Sequence, residues 1–259
     1  MFSHTYYIMD QSATTLSEVD KQNQPAVICN TTTGKTVSYL ELLQNIENKH
    51  VADFALYTPI NSIQRFLARY ELMKMIQDIP GAVVELGVCS GNGLMSLVHC
   101  HKVLEPTYRY REFYGFDTFE GFPDVHKNDI ADVEWKKGDF CNNSYDKLTN
   151  IIDAHNTYYH VPASVKLIKG NACQTIPSFL QDNKHVIVSL LYLDLDIYEP
   201  TKVALKHFLS RMAKGSIIAF DELNWKSFPG ETIAALEEIG TKYKFKQLLH
   251  SHINYCIIE

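Results

Sequence analysis

At 259 residues, with 46% hydrophobic and 21% charged side chains, the chain can bury a full core, which excludes a disordered or fibrous polypeptide. A formal net charge of −6 argues against a dedicated nucleic-acid binder, and no apolar run approaches the roughly 20 residues of a bilayer span. Six cysteines (Cys29, Cys89, Cys100, Cys141, Cys173, Cys256) stand without CxxC spacing, and the opening MFSHTYYIMDQS lacks a basic segment followed by an apolar one; both fit reduced thiols in a cytoplasmic protein without a signal peptide.

Residues 1–55 read as an N-terminal extension, a lid or a dimerisation arm, with a Thr-rich turn at Asn30–Gly34 and a short helix over Val37–Ile46. From Pro59 to Gln77 the apolar residues Ile63, Phe66, Leu67, Tyr70, Leu72, Met73 and Ile76 recur at steps of three and four, which predicts an amphipathic helix ended by Pro80-Gly81. Residues 56–259 then alternate strands with helices. Strands are predicted at Ala82–Val84, Arg111–Phe116, Val165–Ile168, Val186–Leu195 and Gly215–Phe220, with a closing antiparallel pair at Phe245–Leu249 and Tyr255–Ile258. Helices are predicted at Leu94–Leu104, Glu199–Met212 and Thr232–Ile239. The alternation predicts an α/β fold with a doubly wound, mostly parallel sheet.

The first βα unit, AVVELGVCSGNG, joins a strand to a helix through a glycine turn containing Gly87, Ser90 and Gly91. Glycine lets backbone approach a ligand closely. Glu85 precedes the turn, and no Lys-Ser/Thr pair follows it, so a phosphate-cradling loop is excluded. A carboxylate there suits a cationic, hydroxyl-bearing ligand such as S-adenosylmethionine; the alternative is a tight structural turn.

Acids and amides recur where strands end: Glu85, Asp117, Asn171, Asp194, Asp196, Asp221 and Glu222. Ligands of open α/β sheets bind at that edge. Asp117 can accept hydrogen bonds from ribose hydroxyls, with Phe119 as a wall or as core; a helix cap is the alternative. Strand alternation places Asp194 and Asp196 on one side, where two carboxylates repel unless a cation or shared proton holds them. Asp194, Asp221 and Glu222 are three candidate oxygen ligands for Mg²⁺, and one carboxylate can take a proton from an acceptor hydroxyl. Asp196 is either part of this site or a helix cap. His99, His101, His250 and His252 read as structural or solvent-facing, because neither HxH pair has a third metal ligand at recognisable spacing. Tyr57 is a candidate to close over the donor, and Trp225 to cover an acceptor.

From Pro59 onward the chain resembles the macrocin O-methyltransferase family, through INSIQRFLARYELMKMIQDIPG, ELGVCSGNG, YGFDTFEGFP, LDLDIYEPT and FDE followed by FPGE. The resemblance implies a class I methyltransferase fold with a seven-stranded sheet, S-adenosylmethionine as donor, a divalent metal (usually Mg²⁺) and dimers or larger assemblies. It implies that Glu85 and Gly87 line the donor site, with Asp117 on the ribose; Tyr57, Ser90, Gly91, Thr118, Phe119 and Asn171 complete the expected donor site. It further implies Asp194, with Asp196 beside it, as the catalytic acids, and Asp194, Asp221 and Glu222 as the metal set. The family usually has Asp where this chain has Glu222, and a bulkier glycine loop where this chain has Cys89 and Asn92. Acceptors in the family are mostly sugar hydroxyls, and the expected acceptor is a small molecule, with a phosphorylated one equally consistent. An NAD(P)-dependent oxidoreductase is the competing enzyme class, weakened by the missing G-x-G-x-x-G register; a non-catalytic module of the same fold is the third reading.

Overall fold

The computed structural model describes residues 28–29, 36–37, 54–107, 111–158 and 164–259. The chain forms two compact units, Met1–Pro59 and Ile60–Glu259. In the first, β1 (Ile28–Cys29) pairs antiparallel with β2 (Thr36–Val37), and α1 spans Phe54–Tyr57. Val37 is thus in a strand, while the rest of the helix expected over Val37–Ile46 and the turn at Asn30–Gly34 lie outside the described residues.

The second unit opens with α2 (Ile60–Met75), followed by β3 (Ala82–Leu86), α3 (Asn92–Leu104), β4 (Glu112–Asp117), α4 (Tyr145–Tyr158), β5 (Ser164–Lys169) and α5 (Ala172–Asp182). Then come β6 (Val188–Leu193), α6 (Tyr198–Phe208), β7 (Met212–Phe220), α7 (Pro229–Glu238), β8 (Lys246–Gln247) and β9 (Asn254–Ile257). The seven-stranded sheet has the order β5-β4-β3-β6-β7-β9-β8. Strands β3 to β7 are parallel, and β9 enters antiparallel between β7 and β8. This is the doubly wound sheet expected from the alternation. Strands β3 and β6 are buried along their whole length, as their apolar runs, broken only by Glu85 and Ser189, require for a sheet covered on both faces.

Alternate residues of each strand feed two cores. Val83, Phe113, Leu190 and Ile217 face α2, α3 and α4, where they meet Leu72, Leu97 and Leu148. Val84, Phe116, Leu191 and Ile218 face α5, α6 and α7, where they meet Phe179, Phe208 and Ala235. The chain leaves β3 toward β4 and β5, then returns to β6 on the other side. The switch of direction therefore falls between β3 and β6, the place where such sheets open a crevice at the carboxyl ends. Among the described residues no helix is long and apolar enough to cross a membrane, and Cys89, Cys100, Cys141, Cys173 and Cys256 are free thiols.

Candidate active site

The glycine turn after β3 and the acidic loop after β6 meet at the switch point. Gly87 has φ +89, and a Cβ on it would fall 1.6 Å from the Asp194 carbonyl oxygen. Both the left-handed backbone and the contact demand glycine. The Asp194 N–H donates to the Leu86 carbonyl at 2.8 Å, so the two loops are bonded to each other.

Asp117 ends β4 beside this turn. Its Oδ2 accepts the Cys89 N–H at 2.7 Å, and its Oδ1 accepts the Phe119 N–H at 2.6 Å. Burial raises its pKa, partly offset by these bonds. The carboxylate thus ties the β4 end to the glycine turn and keeps further lone pairs for a ligand hydroxyl. Ser90 is exposed in the turn, and Gly91 begins α3 with φ 90. Thr118 and Asn171 share a cavity of about 340 Å³ that also takes in Phe122, Lys137 and Lys169. The Thr118 hydroxyl donates to the Gly121 carbonyl at 2.6 Å, and the Asn171 side chain caps α5 by accepting the Cys173 N–H at 2.9 Å. The Phe119 ring is buried against Tyr145, so it is core rather than an open wall. Tyr57 lies on α1 of the first unit.

Asp194, Asp221 and Glu222 converge, with one carboxylate oxygen from each within 4.8 Å of the others. Asp194 follows β6, and the other two follow the neighbouring β7. Asp196 stands outside this trio. Strand alternation does not carry from Asp194 to Asp196, because β6 ends at Leu193 and Asp196 has a left-handed φ of 64. Burial and the neighbouring Asp221 raise Asp194 to about 8; burial and the other acids raise Glu222 to about 11 and lift Asp196 as well. Asp221 is the exception. Burial opposes its charge, but the imidazole of His252 and the guanidiniums of Arg65 and Arg69 hold it well below the usual carboxylate range. His252 Nε2 lies 3.1 Å from Asp221 Oδ2, the Tyr192 hydroxyl donates to Oδ1 at 2.8 Å, and Arg65 approaches Oδ2 at 3.8 Å. Three hard oxygen donors with crowded like charge, and no thiolate or imidazole in the set, fit a small divalent cation such as Mg²⁺.

Glu85 lies beneath the glycine turn and is 1% exposed. Burial lifts its carboxyl to about 8. Neither of its oxygens has a hydrogen-bond partner among the described residues. Its counter-charge is Arg69, 3.9 Å away, which also reaches Asp194 at 3.8 Å and lies over the Tyr192 ring. Arg65 and Arg69 occupy one face of α2, one turn apart. The sequence predicts an amphipathic helix here but assigns neither arginine a role; two arginines four residues apart on a face otherwise lined by Leu72 and Ile76 are the available signal. His252, expected to be structural or solvent-facing, contacts a carboxylate of the acidic trio. His252 was illegible because its partner is distant in sequence and meets it only through the β7–β9 pairing.

A family model described as macrocin-O-methyltransferase (TylF) matches residues 59–250. The crystal structure of CalS11, a calicheamicin methyltransferase, is 32% identical with a TM-score of 0.80, over 85% of this chain and 89% of that one. The apo structure of CalS11, described as a TDP-rhamnose 3'-O-methyltransferase of calicheamicin biosynthesis, is 30% identical with a TM-score of 0.70, over 85% and 91%. The O-methyltransferase NovP shares the fold at 17% identity and a TM-score of 0.54, over 76% and 80%. A search of curated protein sequences gives no match.

Proposed function

The chain belongs to the macrocin O-methyltransferase family and is an S-adenosylmethionine-dependent O-methyltransferase of the sugar and natural-product type; from this we propose that it methylates a sugar hydroxyl of a small-molecule acceptor with the aid of a divalent cation. The observation that carries the proposal is the convergence of Asp194, Asp221 and Glu222 at the edge that also bears the glycine turn and Asp117.

The turn of Gly87, Ser90 and Gly91, with Glu85 beneath it, would hold the donor. Asp117 would accept its ribose hydroxyls, and the cavity at Thr118 and Asn171 would take its base. Asp194, Asp221 and Glu222 would hold Mg²⁺, which when bound would lower the pKa of an acceptor hydroxyl and stabilise the developing oxyanion. Asp194, with Asp196 beside it, takes the hydroxyl proton. The oxygen attacks the sulfonium methyl in line, the carbon–sulfur bond breaks, and S-adenosylhomocysteine leaves. Most of the rate gain comes from holding the two reactants in line. Trp225 packs edge-on against Phe228 and His252, which puts an aromatic ledge beside the acids for the acceptor. The N-terminal extension, residues 1–55, is a lid or dimerisation arm, and the protein works as a cytoplasmic homodimer.

The acceptor class rests on the 30% identity to a protein described as a TDP-rhamnose methyltransferase, so a nucleotide-linked sugar is the first acceptor to try. Family membership disfavours the oxidoreductase and non-catalytic readings. The test is calorimetric titration with S-adenosylhomocysteine, with and without Mg²⁺, on wild type and Asp117→Ala, followed by a methyl-transfer screen of nucleotide sugars. Low-micromolar binding that is lost in the variant supports the donor site. Transfer that EDTA abolishes and Mg²⁺ restores supports the cation site. A fully active EDTA-treated enzyme would reject the cation.

A further inference from the structure

Asp129 lies far from the sheet edge in sequence, in the segment 118–143 between β4 and α4, yet it is 3% exposed. Both of its oxygens are engaged. Oδ2 accepts the His126 N–H at 2.8 Å, and Oδ1 accepts the Tyr198 N–H at 2.7 Å. Tyr198 is the first residue of α6, which follows the loop of Asp194 and Asp196. The carboxylate therefore satisfies an orphan donor at the positive end of that helix.

The same Oδ1 presses on the other ligand-bearing loop. A Cβ on Gly230, in the first turn of α7, would fall 1.9 Å from Asp129 Oδ1 and 2.6 Å from the Tyr198 nitrogen. Glu231, the next residue, is fully buried and accepts the Glu222 N–H at 2.9 Å through Oε1. Its Oε2 has no hydrogen-bond partner among the described residues. One carboxylate thus touches the first turns of two helices. The loop before α6 carries Asp194, and the loop before α7 carries Asp221 and Glu222.

We propose that Asp129 is a positioning residue for the cation site, clamping the starts of α6 and α7 so that Asp194 keeps its spacing from Asp221 and Glu222. The proposal rests on the cation reading above. Crowded carboxylates push their loops apart, and an ion demands ligand distances held to a few tenths of an ångström. Without Asp129 the Tyr198 and His126 N–H groups lose their acceptor and Gly230 loses the surface it packs on, so the two loops relax away from each other.

The experiment measures Mn²⁺ affinity by electron paramagnetic resonance and, separately, metal-free S-adenosylhomocysteine affinity by calorimetry. Asp129→Ala is expected to weaken Mn²⁺ binding by at least about tenfold, the usual effect of removing a group that orients metal ligands. Donor affinity should stay within about twofold. Asp129→Asn keeps an oxygen for the Tyr198 N–H and recovers much of the loss. Gly230→Ala, which displaces Oδ1 while leaving the carboxylate present, weakens Mn²⁺ in the same way. Folded Asp129→Ala and Gly230→Ala with wild-type Mn²⁺ affinity overturn the clamp, as does parallel loss of Mn²⁺ and donor binding. If Asp129→Ala does not fold, Asp129→Asn and Gly230→Ala decide by the same criteria. Failure of the wild type to bind Mn²⁺ refutes the cation site and the clamp together, whereas wild-type binding with unaltered variants refutes the clamp alone.

Discussion

Replacing Arg69 with methionine tests the electrostatic arrangement beneath the glycine turn. Arg69 is 4% exposed and faces Glu85 at 3.9 Å and Asp194 at 3.8 Å. At an effective dielectric of about 20, each such pair is worth ~4 kcal/mol before desolvation, which takes back much of it. Removing one partner of a buried ion pair typically costs ~3–5 kcal/mol. Here the lower end is expected, because Glu85 and Asp194 both have pKa values raised to about 8 and can hold a proton instead of an uncompensated charge. A loss of ~3 kcal/mol in a domain of this size lowers Tm by roughly 6–12 °C. The sign with pH follows from linkage. Glu85 has a folded pKa near 8 against an ordinary 4.5, so the unfolded chain releases its proton first and stability falls as pH rises between those values. Arg69→Met raises the folded pKa further, so its cost grows with pH. Calorimetric scans at pH 5.5 and pH 8.5 read both quantities, with Arg69→Lys as the charge-keeping control. A shift under about 2 °C at pH 8.5, or a larger loss at pH 5.5 than at pH 8.5, would refute the reasoning.

Gly87→Ala places a methyl group 1.6 Å from the Asp194 carbonyl at φ +89, and either no folded protein or a Tm drop exceeding about 6 °C is expected on thermal scanning; an unchanged Tm would contradict the contact. Cation affinity should rise as pH increases from 6 to 8, because Asp194, near 8, must give up its proton to become a ligand; Mn²⁺ titrations at three pH values check this, and a flat or falling profile counts against the trio. Asp221→Asn should abolish Mn²⁺ binding while sparing S-adenosylhomocysteine, since Asp221 sits in the trio and Asp117 does not. Trp225→Ala should raise the acceptor KM at least several-fold with little change in donor affinity; equal effects on both would remove Trp225 from the acceptor side.

Much of this molecule is governed by short-range pattern. The three-and-four spacing of Ile63 to Ile76 corresponds to α2, and the apolar run from Val186 contains β6, because amphipathic period and burial on both faces are local properties. Gly87 reads as essential for the same reason: a left-handed turn between strand and helix favours glycine whatever surrounds it. The acids at the strand ends were equally legible, since a doubly wound sheet collects those ends at one edge.

Tertiary structure decided which of those acids meet. Strand order places β7 beside β6, so Asp221 and Glu222 approach Asp194, while Asp196, nearer to Asp194 in sequence and left-handed at φ 64, is not part of the trio. It also decided what surrounds them. Arg65 and Arg69 come from a helix that precedes the sheet, His252 from a strand pair at the far end of the chain, and Asp129 from a segment without regular periodicity. Such partners leave no local pattern, because a charge is neutralised by whatever folding brings within a few ångströms, and that distance is set by the order of strands rather than by the order of residues.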